Sequence, residues 1–255
     1  MKNKIFKLKN VIYALSGAAL IIVIWITAAA ATDSEIILPG PVRTLREFLK
    51  LLKSAEFYKA VWGSTGRSLL SFGGAVFFAV LFCALAARFK TFEKIFAPVI
   101  TFLRAIPTMS IILITLIWFS SSVSPMVIAF LITFPLLYNS FLTAYKNVDE
   151  NLITMAEAYG CGVFRQATRL YIPIMLPDAL SAMRASVSLS LKVTVAAEVM
   201  AQTVKSIGVN MQQSMIYFET AELLAWTAAA IIISYVMELI AGVFENYAGR
   251  WKNEG

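Results

Sequence analysis

The sequence predicts an all-α protein embedded in a membrane, and three observations predict it. Apolar residues make up 59% of the 255-residue chain and charged residues only 15%, against about 25% in a soluble domain. Residues 11–31, 68–87 and 105–145 carry no charge at all, and the last run, at 41 residues, is too long for one span. A spanning helix needs about 20 apolar residues, and the ~10-residue alternating segments of a membrane barrel are missing.

Six spans fit, at Asn10–Ala31, Ser64–Ala87, Ile95–Phe119, Ser124–Tyr145, Pro177–Thr203 and Glu222–Phe244. The first follows Lys2, Lys4, Lys7 and Lys9 and is longer than a signal-peptide core, so it is read as a retained helix. Between spans one and two, Pro39-Gly40-Pro41 marks a turn. Leu45, Phe48, Leu49 and Leu52 then share one helical face, opposite Arg46, Glu47, Lys50 and Lys53. Either an outer interfacial helix or a helix packed on the bundle fits that pattern. Spans three and four are joined only by Ser120–Pro125, and Pro135, in the middle of the fourth, is expected to kink it.

Orientation follows the basic residues. With the N-terminus inside, the inner segments hold Lys2, Lys4, Lys7, Lys9, Arg88, Lys90, Lys94, Lys146, Arg165, Arg169, Arg250 and Lys252, twelve in all. The outer segments hold six, Arg43, Arg46, Lys50, Lys53, Lys59 and Lys205. Both termini are therefore expected in the cytoplasm of a bacterial inner membrane. The net charge of +7 reflects this orientation and not nucleic-acid binding. The chain divides into residues 1–63 (first span and external helix), 64–247 (five spans with an inner loop at about 146–176) and a tail, 248–255.

The chemistry the chain lacks is informative. There is no histidine, no Gly-x-Ser-x-Gly turn and no Gly-x-x-x-x-Gly-Lys-Ser/Thr loop. No catalytic residue, metal site or bound cofactor is assigned. Cys83 and Cys161 form no disulfide framework; Cys83 reads as packing.

The long inner loop needs a reason, because a passive link takes only a few residues. Asp149 is a helix N-cap. Leu152, Met155, Ala156 and Tyr159 follow on one face, and Gly160 and Gly162 allow a tight elbow. Val163–Tyr171 restarts a short helix, which Pro173 is expected to stop. The loop either rests on the inner membrane surface or docks on a soluble partner.

Here the sequence resembles the ABC importer permeases. Gly160, nine residues, then Leu170-x-Ile172-Pro173 is similar to their inner-loop signature, Glu-Ala-Ala, three residues, Gly, nine residues, Ile-x-Leu-Pro. Ala156 falls on the second alanine, whereas Thr154 and Met155 stand where the signature has Glu and Ala, and Glu157 is out of register. Ile37–Pro41, Phe102–Phe119 and Leu191–Gly208 resemble the corresponding stretches of sulfonate-, taurine- and nitrate-type permeases, with Ser120 in place of a usual glycine. The resemblance implies a six-helix type I (MetI-like) fold with cytoplasmic coupling helices. It implies a homodimer in membrane lipid, a separate dimeric ABC ATPase that holds ATP and Mg, and an external substrate-binding protein. Leu152, Met155, Ala156, Glu157, Tyr159, Gly160, Gly162 and Pro173 would then couple to the ATPase.

The fifth span is the most polar. Lys192 reads either as a cationic element of a path for an anionic solute or as a structural partner of a carboxylate such as Glu238. Glu198 reads as a capping or gating group, and Tyr138, Asn139 and Ser188 as candidate path walls. Arg104 is expected to snorkel to the inner surface, Arg67 to sit at the mouth of span two, and Trp118 and Trp226 to anchor at the interface. The solute class implied is a small polar or anionic molecule, sulfonate-, taurine- or nitrate-like or a vitamin precursor. The competing reading is a stand-alone channel or secondary transporter working through Lys192 and Glu198.

Overall fold

A computed structural model describes residues 2–32 and 34–249. The basic side chains counted at the two ends, Lys2 to Lys9, Arg250 and Lys252, lie outside the described ones, as does the expected tail from residue 250 on. Every regular element among the described residues is helical: α1 (Lys2–Thr32), α2 (Pro41–Leu51), α3 (Ala55–Arg88), α4 (Lys90–Ala105), α5 (Thr108–Trp118), α6 (Ser124–Lys146), α7 (Glu150–Ala158), α8 (Val163–Gln166), α9 (Ile172–Ala201), α10 (Ile207–Ile216) and α11 (Thr220–Gly249).

By length and composition α3, α6 and α11 are apolar enough to cross a membrane, as are α4 and α5 if taken together as one bent span. The fifth expected span is α9, whose 30 residues reach about 45 Å. Its charges, Asp178, Arg184, Lys192 and Glu198, make it less apolar than the others. In α1 the apolar stretch is Ala19–Thr32.

The expected third span is not one helix. It breaks by 98° between Ala105 and Thr108. Pro107 has no N–H to continue the helical ladder, and its ring pushes Ile106 out of the helical region, to ψ 128°. By contrast α6 continues as one helix through Pro135.

The chain forms two compact units, residues 1–58 with 210–229, and residues 59–209 with 230–255. In the first, the Phe57 and Trp226 rings lie tilted against each other at 5.4 Å, with Phe48 edge-on to Phe57. Trp226 is almost fully buried and donates to Glu222 Oε1 at 3.1 Å, so it is a core residue and not an interfacial anchor. Trp118 is exposed, as an interfacial residue would be. The predicted apolar face of α2 is split: Phe48 packs inward while Leu45 and Leu49 are exposed. A recess of about 260 Å³ in this unit is lined by Arg43, Glu47, Lys50, Glu219 and Glu222, among others.

The second unit is built around α6, which packs most extensively on α9. Ala75, Ala79, Cys83 and Ala86 recur at spacings of three and four on α3, and their small side chains let the other helices approach closely. Against them pack Phe134, Leu137, Tyr138 and Phe141 of α6. Phe82, Phe96 and Tyr138 meet edge to face, at 4.9 Å for Phe82–Phe96 and 5.6 Å for Phe96–Tyr138. Cys83 is part of this core, as its apolar surroundings predicted.

Candidate functional site

The inner loop is built as its residues dictate up to the elbow. Asp149 accepts from the Asn151 N–H at 2.8 Å and caps α7. At the other end the Gly160 N–H donates to Glu157 O (2.9 Å) and the Cys161 N–H to Ala156 O (3.0 Å). This paired closure requires a left-handed residue, and Gly160 supplies it at φ +68°. Gly162 is extended and opens α8.

Beyond α8 the expectation fails. Pro173 does not stop the helix. The turn over Ala167–Tyr171 widens to a π-helix, and the Ile172 N–H donates to Ala167 O, five residues back. Pro173 lies in the first turn of α9, and Pro177 lies inside it. Widening the turn relieves the clash a proline ring makes with the carbonyl four residues earlier. Helix therefore runs unbroken from Val163 to Ala201. Tyr171 of the wide turn stacks on Tyr145 of α6 at 4.9 Å.

The elbow is the most exposed apolar feature of the loop. Tyr159 is 82% and Phe164 83% exposed, with Val163 and Met155 beside them in the chain and also exposed. Leu152 and Glu157 are exposed, and Ala156 is half-buried. Val163 and Phe164 did not emerge from the sequence, because the expected apolar face ended at the glycines.

A second constellation lies at the C-terminal end of α9. The Glu198 carboxylate is fully buried. It accepts from Ser64 Oγ at 2.7 Å, Arg67 Nε at 2.8 Å and the Gly208 N–H at 3.3 Å. Ser64 Oγ in turn accepts from the Ile207 N–H at 2.9 Å, and Ser206 Oγ from the Val209 N–H at 3.0 Å. The open N–H groups that start α10 are thus satisfied by side chains, one of them a carboxylate matched to the helix dipole. Arg67 also donates to Lys205 O. The turn between α9 and α10 holds two non-glycine residues at positive φ, Gln202 (50°) and Lys205 (53°), a conformation that persists only where surrounding contacts enforce it. Thr203 Oγ1 donates to Ser121 O at 2.6 Å and helps do so. Arg67, expected at the mouth of its span, therefore belongs to a largely buried ion pair.

Glu238, proposed from the sequence as a partner for Lys192, faces Arg184 instead, with Glu238 Oε1 3.7 Å from its Nε and Glu245 Oε2 3.2 Å from Nη1. Gly242 lies between those two carboxylates on α11, where a Cβ would stand 3.2 Å from the guanidinium.

The five candidate path residues are not brought to one surface. Tyr138 is buried in the aromatic core, and its hydroxyl has no partner among the described residues. Ser188 and Glu198 are buried, Asn139 is half-buried, and Lys192 is exposed. Arg104 is exposed as well.

Apolar helices long enough to span a bilayer, packed about α6 and α9, define by class a helical membrane protein. The particular family follows from comparison: the model of the binding-protein-dependent transport system inner membrane component family matches residues 75–252. The chain belongs to that family and is a permease of the ABC importer type. It is 27% identical over 243 residues to the taurine transport system permease protein TauC of Escherichia coli, covering 93% of this chain and 88% of that protein. It is 25% identical to the riboflavin transport system permease protein RibX of Chloroflexus aurantiacus, covering 85% and 81%. Among solved structures it superposes on a chain of the inward-facing MetNI methionine ABC transporter with TM-score 0.65, over 76% of this chain and 97% of that one. At 13% identity that likeness speaks to the fold alone.

Proposed function

We propose that this permease is the membrane half of an ATP-driven importer and is worked through its inner loop by a separate ATPase. Two copies form the path, and two copies of the ATPase bind Mg-ATP on the cytoplasmic side, where both termini of the chain also lie. An external binding protein delivers the solute. The permease itself does no covalent chemistry. The taurine and riboflavin relatives support a small polar or anionic solute, sulfonate-like or vitamin-like.

One observation carries the reading. The loop ends in a rigid elbow that holds Met155, Tyr159, Val163 and Phe164 out in the open. Exposed aromatic groups on a fixed turn suit a pocket on a partner. Leu152, Ala156, Glu157, Gly162 and Pro173 set the helices on either side of that elbow. When ATP closes the ATPase dimer, the two elbows are drawn together and the spans change tilt as rigid bodies. A stand-alone transporter worked through Glu198 has less support, because that carboxylate is already held by Arg67.

The test is capture. The tagged chain should co-purify a protein that hydrolyses Mg-ATP, and vesicles holding both should accumulate taurine or a related solute only with ATP and binding protein. Gly160→Val, strained at φ +68°, and Phe164→Asp should each lose the ATPase, whereas Gly160→Asn should keep most of it. Full solute uptake by the permease alone would end the proposal.

A further inference from the structure

The segment from α7 to the wide turn stands off the helices around it. No residue of α7, α8 or the Ala167–Tyr171 turn is buried. The segment starts just after Val148, which is buried, and ends where α9 begins. The hydrogen bonds from Thr154, Gln166 and Thr168 all return to its own backbone. Among the described residues, the ring contact that ties it to another helix is Tyr171 stacked on Tyr145, at 4.9 Å and 27°.

Tyr145 offers that ring a fixed surface. It lies in the last turn of α6 and packs against the core that holds Phe134, Tyr138 and Phe141. Its neighbour Lys146 pairs with Glu93 of α4, so the end of α6 is braced from a second side. The wide turn decides where Tyr171 points. A π turn takes up about one residue more than an α turn, which rotates the residues before it by about 100°. One turn therefore sets both where the Tyr171 ring lies and which way Val163 and Phe164 face.

We propose that Tyr145 and Tyr171 are positioning residues for the ATPase. Their stack indexes the wide turn, so that the exposed Val163 and Phe164 are offered in one orientation instead of rolling about the axis of α8. This rests on the elbow reading and adds to it a contact outside the elbow, on α6. Without the stack a partner meets only the fraction of elbows that face it, and its apparent affinity falls by that fraction.

The experiment measures spin-label distances in the full chain in lipid vesicles, in a background of Cys83→Ala and Cys161→Ser. One pair joins Thr143→Cys of α6 to Arg165→Cys of α8, and a reference pair joins Thr143→Cys to Ile95→Cys of α4, all at exposed positions. The Thr143–Arg165 distance should be single and narrow. It should broaden with Tyr171→Ala or Tyr145→Ala, no further with both, and stay narrow with Tyr171→Phe, which keeps a stacking ring. The reference distance should not change. Half-capture of the ATPase should need up to about tenfold more ATPase for the alanine variants and no more than before for Tyr171→Phe. An elbow distance indifferent to Tyr171→Ala, broadening of both pairs alike, or no recovery with Tyr171→Phe would each overturn the proposal. Unchanged capture by a chain whose elbow distance has broadened would do the same. The distances need no ATPase, so their failure is distinct from a failure of the unsubstituted chain to capture one.

Discussion

Glu198 is one carboxylate serving three elements, α3 through Ser64 and Arg67, its own helix, and the start of α10. Removing one partner of a buried pair leaves the other uncompensated, which costs about 3–5 kcal/mol. Arg67→Leu and Glu198→Gln should therefore each lower the thermal midpoint of the detergent-solubilised chain markedly. The double variant should recover part of the loss attributable to Arg67, but not the capping of Gly208, and a double-mutant cycle separates the two. The glycines nearby sharpen the point. A Cβ on Gly208 would stand 2.5 Å from Val195 O, and one on Gly63 2.3 Å from Lys205 O, whereas one on Gly66 meets nothing within 4 Å. Gly208→Ala and Gly63→Ala should reduce the monodisperse yield, and Gly66→Ala should leave it unchanged or raise it slightly.

Among the elements, those set by local chemistry were legible and those set by distant partners were not. The Asp149 cap and the Gly160 elbow each depend on residues within a few positions, and both formed as expected. The uncharged runs likewise marked α3 and α6. The partner of Arg67 lies 131 residues away, and no periodicity announces it. Trp226 read as an anchor because its stacking partner, Phe57, is equally remote in sequence. Proline was ambiguous. Pro107 breaks a span by 98°, Pro135 lies within a continuous helix, and Pro173 sits just past a widened turn. Which response follows depends on what packs around the freed carbonyl, and the sequence does not show that. If Pro107 causes the break, Pro107→Ala should relax it. Spin labels at the exposed Ile95 and Ile117 should then report a longer separation than in the unsubstituted chain.

For the whole molecule the expectation to check is sidedness. The lysine and arginine bias puts the elbow inside and the turn after α9 outside. In right-side-out vesicles an impermeant maleimide should modify Lys205→Cys made in a Cys161→Ser background, and should spare Cys161 in the unsubstituted chain. Inverted vesicles should reverse the pattern. The reverse result in both would turn the molecule over and remove the elbow from any cytoplasmic ATPase.

The uninterrupted helix from Val163 to Ala201 has a mechanical consequence. At about 1.5 Å per residue it is a single rod of nearly 60 Å, with the aromatic tip near one end and the Glu198 carboxylate near the other. On the proposed coupling, a tilt given to the elbow end by an ATPase is carried along the helix to the Glu198 end. The widened turn at Ala167–Tyr171 is a compliant place in it, and a Gly-Gly replacement there should, on the proposed coupling, let the ATPase cycle idly while transport stalls.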